Sequence, residues 1–153
     1  MNEIIKIDKI LLDNLCSIID KARQQVAVSV SNTMTMTYWH IGDTIHTYVL
    51  EGQRAAYGQQ IVSTLSTKLT ELYGKDFTDR NLRRMIQFSQ AFPKVEIVST
   101  LSTKLYWSHF MEVLPLKDNL AREFYVTMAA SEHWSVKRLR KEIDSMLFER
   151  TII

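Results

Sequence analysis

Cysteine, proline and glycine are all scarce in this chain of 153 residues, which holds one, two and four of them respectively. A single cysteine, Cys16, excludes an internal disulfide. It lies among Leu12, Leu15 and Ile19, and reads as a small buried hydrophobe rather than a reactive thiol. Few glycines and prolines mean few turn signals, which favours helices over a β architecture. No apolar run approaches the ~18 residues that span a bilayer. The start, Met1-Asn2-Glu3-Ile4-Ile5-Lys6, lacks the basic, apolar and small-residue parts of a signal peptide. A soluble cytoplasmic protein is therefore expected, with no membrane partner. An excess of one charge is missing too, because the net charge is only +2. Its distribution is uneven: residues 1–60 carry five Lys/Arg against six Asp/Glu, and residues 61–153 carry fourteen against eleven. An anionic partner would meet the second part.

What is present is helical periodicity. Ile7, Leu11, Leu15, Ile18, Ala22 and Val26 recur at spacings of three and four and outline one apolar helical face. Residues 26–38 are ambiguous. Val26, Val28, Val30, Met34, Met36 and Tyr38 alternate with Ser and Thr as a strand would, yet Val26, Val30, Met34, Tyr38, Ile41 and Ile45 also keep helical spacing. Helix is preferred, because that periodicity continues on both sides. A second helix through Tyr38, Ile41, Ile45 and Val49 should end near Gly52, with a turn over 55–58. A third should run from Gln59 to Tyr73, turning Ile61, Leu65, Leu69 and Leu72 inward and stopping at Gly74. Thr78 suits the N-cap of the next helix, which Pro93 closes. Pro115 closes a segment around Trp107–Leu114. Asp118 caps a helix through Leu120, Phe124 and Met128. Ser135 caps a last one carrying Val136, Leu139, Ile143, Met146 and Leu147. The predicted fold is all-α, a single module over 1–153. A long N-terminal helical hairpin (7–51) precedes a first helix-turn-helix-like unit (58–92) and a second helical unit (97–150) with the same outline.

Two internal similarities support that organisation. The nonapeptide Ile61-Val62-Ser63-Thr64-Leu65-Ser66-Thr67-Lys68-Leu69 recurs unchanged from Ile97 to Leu105. It reads as two helices with similar packing tasks or a local duplication, since the repeat is too short for a solenoid. The segment from Phe77 to Ile86 also lines up with that from Trp134 to Ile143. Both run aromatic, capping hydroxyl, three mostly polar residues, Leu, two basic residues, one residue, Ile. Each follows an amphipathic helix and a short turn, the outline of helix-turn-helix.

Catalytic constellations are not evident. There is no Gly-rich phosphate loop, His40, His46, His109 and His133 form no metal-ligand spacing, and carboxylates are scattered. No cofactor or metal is expected, and no catalysis by this chain alone; His109, beside Trp107 and Ser108, is the one enzymatic candidate. Basic helices are the stronger signal. On a helical wheel Leu82, Met85, Ile86 and Ser89 share a face, with Arg80, Arg83, Arg84 and Gln87 opposite. Arginine and glutamine stripes pair bidentately with phosphates or base edges. In the last helix Lys137, Arg140 and Lys141 point away from the apolar side. The predicted DNA contacts are thus Arg80, Arg83, Arg84 and Gln87, with Thr78 capping the helix toward a phosphate and Lys137, Arg140 and Lys141 in support. The alternative is a helical interaction or homodimerisation module that uses the N-terminal helices from Ile7 to Val49.

Several short motifs together resemble one family. They are Tyr38-Trp39-His40-Ile41-Gly42 with Ile45, Tyr57-Gly58, Leu65-Ser66, Leu69-Thr70 and Tyr73-Gly74-Lys75-Asp76-Phe77-Thr78. Asn81-Leu82, Met85, Phe88, Phe92-Pro93, Trp107-Ser108-His109, Arg122-Glu123-Phe124-Tyr125 and Trp134-Ser135-Val136 with Leu139 complete them. Running from about residue 20 to 150, the chain resembles the N-terminal domain of the YhcG-like family of bacterial nucleases. That resemblance implies an all-helical DNA-binding module joined to a C-terminal nuclease domain of the PD-(D/E)XK type. Nothing up to Ile153 resembles the nuclease motif, so the partner domain is expected outside this chain, which is then a fragment or a stand-alone relative. The family's Leu-Ser before Trp-Ser-His is Leu105-Tyr106 here, a bulkier residue expected to alter local packing.

Overall fold

The computed structural model describes residues 2–51 and 58–151, with the side chains of 2–11, 15 and 51 left aside. Among the described residues every regular element is helical. In order these are α1 (Asn2–Glu51), α2 (Gly58–Tyr73), a 3-10 turn (Lys75–Phe77), α3 (Asp79–Ala91), α4 (Val95–Leu101), α5 (Trp107–Val113), α6 (Asn119–Ser131), α7 (Val136–Asp144) and α8 (Leu147–Thr151). No helix among them is long and apolar enough to cross a membrane.

The all-helical expectation holds, but the predicted hairpin over 7–51 does not form: α1 is one unbroken helix of 50 residues. Residues 26–38 contain neither Gly nor Pro to break it, so the helical periodicity on both flanks carries through. Its expected end near Gly52 and the turn at 55–57 lie outside the described residues.

The C-terminal half of α1 crosses α3 at close range, and Gly42 permits that crossing. A Cβ at Gly42 would lie 2.0 Å from the carbonyl oxygen of Met85, so only glycine lets the two backbones approach this far. Around the crossing Ile45, Val62, Leu82 and Met85 form a small core. Trp39 enters a larger one with Phe88, Phe92, Phe110, Tyr125 and Leu139, and its indole N–H donates to the Phe92 carbonyl oxygen at 2.7 Å. That bond satisfies the one polar group of a buried indole.

Most punctuation is where the sequence puts it. Thr78 accepts from the backbone N–H of Asn81, Ser135 from that of Arg138, and Asp118 from that of Leu120. Gly74 ends α2 with φ 100° and donates to Thr70. Some predicted inward residues face solvent instead. Leu72, Leu120 and Met146 are exposed. In α6 the burial register falls on Ala121, Tyr125 and Ala129, one position after Leu120 and Phe124. Met146 adopts φ 60°, outside any helix, where the chain turns from α7 into α8. Cys16, read as buried, is exposed, because nothing described packs on that part of α1.

Candidate nucleic-acid interface

The helices α3 and α7 match more closely than their sequences require. Each is capped by a hydroxyl, and four residues beyond the cap each buries a leucine completely, Leu82 and Leu139, both 0 % exposed. Each is preceded by a turn with one left-handed residue, Gly74 before α3 and His133 before α7. Glycine takes that conformation without strain, whereas His133 (φ 55°) is held there by its surroundings. The Trp134 N–H donates to Ala129 O at 3.0 Å and so closes the end of α6.

The correspondence extends to the cations. Arg83 and Arg140, both five residues after the cap, are tied to carboxylates. Arg83 pairs with Asp79 on the preceding turn. The guanidinium of Arg140 bonds Glu112 of α5 through Nη2 at 2.6 Å and Nε at 3.2 Å. The Arg83 and Ser63 hydrogen bonds hold the Asp79 carboxyl below the usual carboxylate range, and the Glu112 hydrogen bond raises Arg140 above its ordinary value. The side chains of Arg80 and Arg84 on α3, and of Lys137 and Lys141 on α7, make no hydrogen bond or ion pair among the described residues. Three of the four are exposed and Arg84 is half-buried on the flank of α3. Each helix thus offers two unpaired cations four residues apart, neighbours on one helical face.

Both helices are also fastened to the same end of α5. Gln87 donates its side-chain amide to the Leu114 carbonyl at 3.2 Å, and Arg140 reaches Glu112 two residues earlier. The predicted contact set therefore divides. Thr78 does cap α3; Arg80, Arg84, Lys137 and Lys141 remain available; Arg83, Gln87 and Arg140 are engaged within the fold.

Residues 14–150 match the family described as the DUF1016 N-terminal domain. The chain belongs to that family. It is also 31% identical to the candidate nuclease YhcG of Escherichia coli (strain K12), over an alignment of 171 residues. That alignment covers 92% of this chain and 46% of the relative, so the chain spans about half of the relative's length. This is a YhcG-like N-terminal domain, as the motifs above suggested. No solved structure matches it.

Within this DUF1016 N-terminal domain, His109 serves the framework. It is buried, and its Nδ1 accepts from the Tyr106 N–H at 2.9 Å. A backbone N–H can only donate, so the ring proton sits on Nε2, which donates to the Trp134 carbonyl at 2.8 Å. Both nitrogens are occupied in joining the start of α5 to the residue before α7's cap. Tyr106 stays exposed and stacks on that imidazole with centroids 5.9 Å apart. Among the described residues no three His, Cys, Asp or Glu side chains gather to hold a metal ion.

Two participants escaped the sequence reading. Arg138 lies over the Trp134 ring at 5.5 Å and pairs with Glu142 at 2.8 Å; the i,i+4 spacing to Glu142 was a visible signal. Glu112, which ties down Arg140, stands 28 residues away from it and left no local trace.

Proposed function

We propose that this domain is a DNA-recognition module that presents a nuclease domain, lying outside it, to its target. The observation that carries the reading is the matched pair of unpaired cations on α3 and α7, with both helices anchored at one end of α5. Phosphates attract unpaired guanidinium and ammonium groups without first breaking an internal ion pair. The two capped helices act as a repeated helix-turn-helix-like device. Arg80 and Arg84 make the principal contacts, their planar forks suited to phosphate or guanine. Lys137 and Lys141 add phosphate contacts, and the Thr78 cap fixes the start of α3. The domain itself supplies no catalytic group; cleavage belongs to the remainder of the parent protein, as the name of the E. coli relative suggests.

Duplex binding under rising salt tests this. Four phosphate contacts predict that log K falls with log salt at a slope near −3.6, on the order of 100-fold between 50 and 200 mM. Reversing both arginines (Arg80→Glu with Arg84→Glu) should reduce that slope by about 1.8. An unchanged slope and affinity in the doubly reversed protein would overturn the assignment.

A further inference from the structure

The N-terminal half of α1 is the least explained part of the molecule. From 16 to 30 every residue is exposed, although Ile18, Ile19, Val26 and Val30 are large and apolar. Ile18 and Val26 show 63% and 62% of their surface. Counting about 100° per residue, Ile18, Ala22, Val26, Ile19, Leu12 and Val30 fall within one arc about 120° wide. The positions by which α1 packs on its own body, Thr35, Trp39, Gly42 and Ile45, centre on the opposite side. The stripe is therefore not a continuation of the intramolecular seam: it faces away from the fold that would otherwise bury it. An exposed apolar strip of this length marks an interaction surface.

We propose that this stripe pairs antiparallel with the same stripe of a second copy of this chain. Leu12, Ile19, Val26 and Val30 of the stripe, joined by Cys16 and Arg23 along one edge of it, follow one another at spacings of four and three, the seam of a two-helix coiled coil; Ile18 and Ala22 lie outside that seam on its other side. Charge selects the direction. A parallel pair sets Arg23 against Arg23 in the middle of the seam, where like charges repel. An antiparallel pair centred at position 21 sets Arg23 against Ile19 of the other copy, within reach of its Asp20. Neither Arg23 nor Asp20 has an ion-pair partner among the described residues. In this register Leu12 faces Val30 and Cys16 faces Val26. Some 27 Å of helix from 12 to 30 is paired, at the small end of specific interfaces, so the dimer is reversible and concentration-dependent. The inference is independent of the DNA reading and uses no residue of α3 or α7.

Light scattering of the 153-residue chain over a concentration series should show its mass doubling. Ile19→Glu with Val26→Glu should return it to monomer with unchanged helical circular dichroism, since both side chains are exposed in the monomer. A Val26→Cys variant should form covalent dimers on mild oxidation, through Cys16 of one copy and residue 26 of the other, while the parent chain and Val28→Cys should not. A monomer at all concentrations overturns the proposal, as does a dimer that survives the double substitution. Oxidative cross-linking of the parent through Cys16 alone overturns the antiparallel register. A stripe protected from hydrogen exchange only in the longer parent protein, with this chain monomeric, assigns the surface to another domain and overturns it too.

Discussion

α3 and α7 share a cap, a buried leucine and a pattern of cations, but they are seated by different physics. α3 is pressed against α1 by close backbone packing at Gly42 and by the Trp39 indole bonded to Phe92. α7 is held by polar ties, the imidazole of His109 on Trp134 and the carboxylate of Glu112 on Arg140. The local pattern specifies which residue caps and which leucine is buried. On α3 a neighbour in the same helix, Asp79, takes up Arg83, whereas on α7 a residue far along the chain, Glu112, takes up Arg140. Helices of similar pattern can thus rest on dissimilar foundations, and the two foundations should fail differently.

The largest effect is expected at the polar seat. His109→Ala opens a cavity and leaves the Tyr106 N–H and Trp134 carbonyl without their partner, a loss of about 4 kcal/mol in chemical denaturation. Gly42→Ala attacks the packed seat. The added methyl cannot fit against the Met85 carbonyl, and we expect about 3 kcal/mol and a melting temperature lower by roughly 10 °C. If Gly42→Ala were neutral, the close crossing would be wrong. Cap removal comes next: Thr78→Ala and Ser135→Ala should each cost about 1 kcal/mol, and near-equal losses would confirm that the caps are equivalent. The smallest effect concerns pH. Asp79 is lowered in the folded state by Arg83 and Ser63, so its contribution is present above the unfolded carboxylate value near 4. That contribution fades as pH falls through the folded value. Asp79→Asn should therefore lower the melting temperature slightly at pH 7, with the difference closing in acid.

Much of the frame was legible because it is local chemistry. Thr78, Asp118 and Ser135 cap, Gly74 turns, and Pro93 stops α3, each through its own backbone or side-chain constraints. The repeated nonapeptide shows where local reading ends. Over 61–69 it lies wholly within α2, which continues to Tyr73. Over 97–105 the same residues leave the helix after Leu101. There Asn32 of α1 donates to the Ser102 hydroxyl, Leu105 is buried, and Tyr106 begins the next helix. Identical sequence yields to different company. The site divides the same way. That Arg80, Arg84, Lys137 and Lys141 flank the buried leucines follows from helical spacing. The Asp79–Arg83 pair was readable as an i,i+4 spacing. The ties of Gln87 to Leu114 and of Arg140 to Glu112 depend on how α5 docks and had no signature in sequence.

The central claim is that nucleic acid meets the unpaired cations and not the paired ones. Fluorescence anisotropy with a labelled duplex, titrated across a salt series, tests it in two variants of equal charge change. Arg80→Gln with Lys137→Gln should weaken binding at least tenfold and flatten the salt slope by about 1.8, whereas Arg83→Gln with Arg140→Gln should leave the slope nearly as in the parent. Equal losses in both variants, or none in the first, would contradict the account.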